Sequence, residues 1–215
     1  MRRYRRQAAE IRCVALDRLS RHEISRPKGL VLKHSKEKQM EKEELFQVYR
    51  HSLAHILAKA VIEIYGKEVQ YGIGPQIEDG CYYDFVLPEG KSIGEEDFKA
   101  IENKMREIIK RREPWTRKEV SKAEAKEIFK DQKFKLELID ELPEDETISV
   151  YYTGDDYVDL CRGPHVENSQ ELMSAAYQIH SCSAAYWRGD EKRDHMQRVY
   201  VYAFPTKDEL KQHVK

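Results

Sequence analysis

FQVYRHSLAHILAKAVIEIY, residues 46–65, reads as a helix buried on nearly every side that still carries two histidines. Between Leu53 and Ile64 only Lys59 and Glu63 are charged. Leu53, Ala54, Ile56, Leu57, Ala58, Ala60, Val61, Ile62 and Ile64 spread right round the axis. A surface helix keeps its apolar residues to one stripe, so this spread marks a core helix. His51 and His55, four residues apart, stack on one face, turned away from the densest apolar stripe. A core helix presenting two imidazoles side by side faces a pocket. The plainer alternative is two unrelated histidines satisfied by water or backbone. A second pair far downstream, Cys161 and His165 in DLCRGPH, favours the pocket.

Outward from this helix, Gly66 supplies a left-handed C-terminal residue. Val69 to Ile73 and Cys81 to Val86 read as short strands around a turn-rich stretch, Gly72 to Gly80. Glu95 to Arg112 is an amphipathic helix with Phe98, Ile101, Met105, Ile108 and Ile109 at three- and four-residue spacing, stopped by Pro114. Trp115 to Val120 alternates as an edge strand. Ser121 with Glu124 makes a capping box for a helix through Phe129, and Phe134 to Glu141 is a further short helix. Ile148 to Tyr152 and Tyr157 to Cys161 flank Gly154-Asp155-Asp156 as a hairpin. There Asp159 and Cys161 share a face, and Arg162-Gly163-Pro164 turns the chain so that His165 returns towards them. Tyr177 to Trp187 and Gln197 to Phe204 are two more strands, and Thr206 with Glu209 caps a terminal helix. The fold class expected is α+β, mostly antiparallel sheet curled around one buried central helix.

The charge is unevenly distributed. Residues 1–40 carry +8 and the remainder −9, for a net charge of −1 over 215 residues. Residues 1–44 are therefore expected as a basic arm and linker, with Lys33 to Glu44 as the linker, ahead of a folded domain over 45–215. The arm can tether nucleic acid or simply be solvated. Its start also resembles a mitochondrial transit peptide in being amphipathic and Arg-rich, although Glu10, Asp17 and Glu23 count against that. No apolar run reaches eighteen residues, so no membrane contact is expected. Cys13, Cys81, Cys161 and Cys182 contain no CxxC pair, which points to a reduced, cytoplasmic protein.

His51, His55, Cys161 and His165 offer three imidazoles and a thiol, a donor set for tetrahedral zinc. It is not the HExxH peptidase motif, since Ser52 stands where that motif has its glutamate. With four ligands the metal would be structural, and with three and a water hydrolytic. Without metal, the same neutral imidazoles can orient or deprotonate a water. All three readings require the two segments to meet.

HSLAH, IGPQIEDGCYYDF, FKLELI, YVDLCRGPHV and AYWRGDEKRDHMQRVYVYAFPTKDEL, in that order, closely resemble the editing domain of threonyl-tRNA synthetases, a module shared in outline with alanyl-tRNA synthetases and their free-standing relatives. The likeness runs from about Tyr49 to about Leu210. The HxxxH and CxxxH pairs are common to both branches, whereas the IEDGxYYDF and CRGPH blocks favour the threonyl one.

That resemblance implies an aminoacyl-tRNA deacylase that removes serine from the 3'-terminal adenosine of threonine tRNA. It would act in trans beside a separate threonyl-tRNA synthetase, or as the editing part of a longer ligase. No class II aminoacylation core is read in this chain. The resemblance also implies that His51, His55, Cys161 and His165 surround the ester, with Lys135 helping His51 polarise the attacking water. It gives Asp159 the substrate amino group and Tyr83 the adenosine. No obligatory cofactor is implied, and zinc at the quartet is the alternative, as in an alanyl-type editor. A non-catalytic tRNA-binding remnant working through its Arg2 to Arg26 arm is a third reading. Two departures stand out. Cys81 replaces the usual aromatic of GFYYDF, and Ala184 replaces the glycine of AGAYW, which would shrink the pocket if it lined it.

Overall fold

The computed structural model describes the backbone of residues 30–215 and side chains from Glu43 onward. The chain divides into two compact units, 1–42 and 43–215. The basic arm, its transit-peptide alternative and Cys13 lie outside the described residues.

The first helix, α1, spans Leu30–Tyr65. It takes in the charged run Lys33 to Glu44 that had been expected as a linker. The physical reason is composition: Lys, Glu, Gln and Met are strong helix formers, and no Pro or Gly interrupts the chain from Leu30 to Tyr65. Gly66 ends it with φ of +104°, its N–H bonded to the Ile62 carbonyl at 2.9 Å.

Two antiparallel sheets follow. The larger is ordered β1 (Gln70–Tyr71), β3 (Gly80–Val86), β8 (His195–Phe204), β7 (Ala176–Tyr186), with β2 (Gln76–Ile77) also on β3. The smaller is β4 (Trp115–Val120), β5 (Ile148–Thr153), β6 (Tyr157–Leu160). α2 (Phe98–Lys110) links β3 to β4, α3 (Lys122–Ile128) and α4 (Lys133–Asp140) lie between β4 and β5, and α5 (Lys207–His213) follows β8. Both expected capping boxes form, at Ser121–Glu124 and Thr206–Glu209.

Leu53, Ala54, Ile56, Leu57, Ala58, Ala60 and Val61 are all fully buried, which is why α1 shows no single apolar stripe. They share one core with Cys81, Tyr83 and Phe85 of β3, Val199, Val201 and Ala203 of β8, and Ile101, Met105 and Ile108 of α2. Trp115 and Tyr157 bring the smaller sheet into that core. Each large aliphatic side chain buried this way contributes about 1.5–3 kcal/mol. The smaller sheet also packs Ile148 and Val150 against Ala125, Phe129 and Ile139.

Lys59 is the one buried cation on the apolar part of the helix, at 1% exposure. Its ammonium donates to Glu113 at 2.6 Å, Asp156 at 2.6 Å and the Thr153 carbonyl at 3.0 Å. It therefore pins the β5–β6 turn to α1, one turn of helix beyond His55.

Candidate active site

Asp159 lies on β6, and the ladder continues past the strand because Cys161 N–H donates to the Ser149 carbonyl at 3.2 Å. Gly163 then turns the chain at φ +76°, where an added Cβ would sit 2.2 Å from the Tyr151 hydroxyl. Only glycine suits both demands. The turn carries His165 back to α1, so the two sequence pairs meet. Cys161 Sγ lies 3.2 Å from His51 Nε2 and 3.2 Å from His165 Nε2. The His165 ring centre is 4.2 Å from both His51 and His55. Gly163 N–H donates to Cys161 Sγ at 3.3 Å.

Behind this quartet is a buried polar knot centred on Asp159, at 2% exposure. Its carboxylate forms an ion pair with Lys135 and accepts from the Tyr83 hydroxyl at 2.5 Å and the Tyr157 hydroxyl at 3.0 Å. His55 Nε2 lies 3.5 Å away. Lys135 also donates to the Gly72 carbonyl at 2.6 Å.

Three of the residues expected at the substrate lie in the interior. Tyr83, expected at the adenosine, packs within the core. It is fully buried and stacked on Phe85, and the turn at Gly74 approaches so closely that a Cβ there would meet its ring at 2.1 Å. Lys135, expected beside the ester, is enclosed by Asp159, Gly72 and Tyr83 at 2% exposure. Asp159 likewise has Lys135 at one oxygen and the Tyr83 and Tyr157 hydroxyls at the other. Ala184 is exposed on β7 opposite Gln197.

The electrostatics follow from burial. Desolvation holds His51 down at about 4, against the raising effects of the Asp159 charge and of a hydrogen bond to the Pro164 backbone. His55 falls well below its ordinary value through burial, then through His51 and Lys135. His165 does so through burial, then through His55 and His51. Burial, then the Asp159 charge, pushes the Cys161 thiol up to about 12. At neutral pH the site therefore holds three neutral imidazoles and a protonated thiol. Such a thiol is a poor nucleophile, since the thiolate is the reactive form. A neutral imidazole is a competent proton acceptor.

The quartet also fits zinc. Its four donor atoms lie within 4.8 Å of one another. Zn–N of about 2.0–2.1 Å and Zn–S of about 2.3 Å set tetrahedral edges of about 3.3–3.6 Å, close to the two 3.2 Å S···N separations. His55 Nδ1, buried and without a hydrogen-bond partner, is the sort of orphan a ligand would satisfy.

Residues 148–200, which include Asp159, Cys161 and His165, match the family described as the threonyl and alanyl tRNA synthetase second additional domain. The chain is also 50% identical over 177 residues to a threonine–tRNA ligase of Thermotoga neapolitana, covering 82% of this chain and 27% of that protein. Residues 148–200 thus carry the match to this second-additional-domain family. A threonine–tRNA ligase of Petrotoga mobilis is 52% identical over 165 residues, and one of Staphylococcus aureus 44% over 173. These spans cover 76% and 80% of this chain but 25% and 26% of the relatives. The chain thus spans about a quarter of the length of the curated relatives it matches. Among its described residues, no helix is long and apolar enough to cross a membrane.

Two further residues touch this site. Ser52, which in sequence only rules out a peptidase motif, is fully buried with its hydroxyl 3.0 Å from His165 Nδ1. Trp115 was read only as the start of a strand. Its ring lies 4.6 Å from that of His165 and 5.4 Å from that of His55. For Ser52 a signal was available, since a serine between two histidines of a core helix has few places to put its hydroxyl. For Trp115 there was none, because its contact depends on how the two sheets meet.

Proposed function

We propose that the chain is an aminoacyl-tRNA deacylase that removes serine wrongly esterified to the 3'-terminal adenosine of threonine tRNA. The observation that carries this reading is the meeting of His51 and Cys161 at 3.2 Å across 110 residues of sequence, with His55 and His165 completing the group. In the step proposed, a water attacks the ester carbonyl and gives its proton to neutral His51. The ribose oxygen leaves with a proton, which frees serine and tRNA. Lys135 acts from behind, as the counter-charge that holds Asp159 and keeps His55 neutral. Hydrolysis through water is preferred to attack by Cys161, because burial keeps the thiol protonated.

The need for such an activity is physical. One methyl group is worth about 1–3 kcal/mol in a binding pocket, too little for a synthetic site to refuse serine when built for threonine. A second site with no room for the methyl supplies the rest. Release of labelled serine from preformed seryl-threonine tRNA tests the reading, with threonyl-threonine tRNA and His51→Ala as controls. Serine release that is lost in the variant supports it. A seryl ester left intact by the wild-type chain refutes it.

The donor geometry favours a second reading, an alanyl-type zinc-dependent editor. His51, His55, Cys161 and His165 would hold the ion, and zinc would supply Lewis acidity to a carbonyl or to a bound water. Activity abolished by chelation and restored by zinc would select this reading over the metal-free one.

A further inference from the structure

Ser52 lies between the two histidines of the helix, is fully buried, and reaches across to the loop that carries His165. Its oxygen accepts from the Val166 N–H at 3.2 Å and lies 3.0 Å from His165 Nδ1. A serine hydroxyl has one proton to give. Among the described residues, the Ser52 hydroxyl has no acceptor besides His165 Nδ1. That proton finds a partner only if Nδ1 carries the lone pair, which puts the His165 proton on Nε2. Nε2 faces Cys161 Sγ, and the thiol faces His51 Nε2.

We infer that Ser52 is a positioning residue that fixes His165 as its Nε2–H tautomer in the metal-free protein and so gives the quartet a direction. Donors then run in one sense. Val166 N–H donates to Ser52, Ser52 O–H to His165 Nδ1, His165 Nε2–H to Cys161 Sγ, and Cys161 S–H to His51 Nε2. The two imidazoles that flank the thiol become unlike, His165 presenting a proton and His51 a lone pair. That difference is what a hydrolytic site requires, one group to hold developing negative charge and one to accept a proton from water. A water that displaces the thiol contact at His51 would meet a base already in the accepting form. Ser52 touches neither substrate nor water in this scheme and works through His165.

The tautomer assignment stands on the hydrogen bonds alone, whereas its effect on turnover rests on the deacylase reading. The experiment separates them. The chain labelled with 15N at histidine is stripped of metal with a chelator. Its ring nitrogens are assigned by long-range proton–nitrogen correlation in wild type, Ser52→Ala and Ser52→Thr, and dispersion of the amide spectrum reports folding. His165 is expected as the Nε2–H form in wild type and Ser52→Thr, and as a tautomer mixture in Ser52→Ala. A proton on Nδ1 in wild type, or a His165 signature unchanged in a folded Ser52→Ala, overturns the inference. Serine release is read on the same three proteins. The expected loss in Ser52→Ala is about 10- to 100-fold in kcat with KM little changed, recovered in Ser52→Thr. Absence of release in wild type would refute the deacylase reading and leave the tautomer result intact.

Discussion

Replacing Lys135 by methionine should uncover the charge on Asp159. The two side chains are 2% and 3% exposed, and their ion pair is the centre of the buried knot. Removing one member of a buried pair leaves the other uncompensated and costs about 3–5 kcal/mol. Two features moderate the loss here. The hydroxyls of Tyr83 and Tyr157 still donate to Asp159, at 2.5 and 3.0 Å, and hydrogen bonds to a charged group are worth about 1.5–3 kcal/mol each. The lower half of the range, about 3–4 kcal/mol, is therefore expected, measured by urea unfolding monitored through Trp115 and Trp187 fluorescence. Asp159→Asn alone should cost a similar amount, because Lys135 would keep only the Gly72 carbonyl and the Tyr83 hydroxyl. The double variant removes both charges, so its loss should be smaller than the sum of the two by at least about 2 kcal/mol. Additive losses, or a loss under about 1 kcal/mol in Lys135→Met, would refute the view that Asp159 and Lys135 compensate each other in a dry site.

Stability of the metal-stripped protein should fall as pH drops. The His51 value of about 4 in the folded chain lies below its ordinary 6.5, so the unfolded chain takes up the proton first. The stabilisation is complete above pH 6.5 and is lost as pH falls towards 4, about 3 kcal/mol for His51 alone, with His55 and His165 shifted in the same direction. Urea midpoints at pH 7.5, 5.5 and 4.5 read this directly, and His51→Ala should flatten part of the slope. Gly163→Ala should displace His165, because it combines a left-handed backbone with a Cβ 2.2 Å from the Tyr151 hydroxyl. The backbone strain alone costs about 1–2 kcal/mol by urea unfolding, and serine release should drop along with the stability.

The sequence made the helices and the β5–β6 hairpin legible because each carries a local signature. Leu53 to Val61 announce burial by their spread, the Ser121 and Thr206 boxes mark helix starts, and Gly154-Asp155-Asp156 marks the turn. It also made the quartet legible, because two short-range pairs leave only one long-range question. What could not be read was which polar residues face inward. Lys135, Asp159 and Tyr83 carry no local mark of burial, and family resemblance placed them against the substrate. Their enclosure comes from three long-range events: the Gly74 turn closing over Tyr83, β6 aligning Asp159 beneath α1, and α4 delivering Lys135 to the Gly72 carbonyl. The helical start at Leu30 was misjudged for the opposite reason. A charge-rich run looks like a linker by composition and like a helix by propensity, and nothing in its hydrophobic pattern arbitrates.

The core helix and the chemistry of the site have a common cause. Burying Leu53, Ile56 and Leu57 requires that His51 and His55 lie in the same dry environment, and dryness is what lowers their pKa values. The same dryness raises Cys161, so the thiol becomes a hydrogen-bonding neighbour instead of a nucleophile. Asp159 opposes part of this, since its charge raises His51, but Lys135 holds that carboxylate in an ion pair and lowers His55. The knot therefore separates the two helix histidines. His55, at 2% exposure and facing the Lys135 charge, is held neutral in the interior, while half-buried His51 keeps access to solvent. Of the two, only His51 combines a lone pair, a path to water and a value that leaves it unprotonated at pH 7, which is why the base is assigned to it.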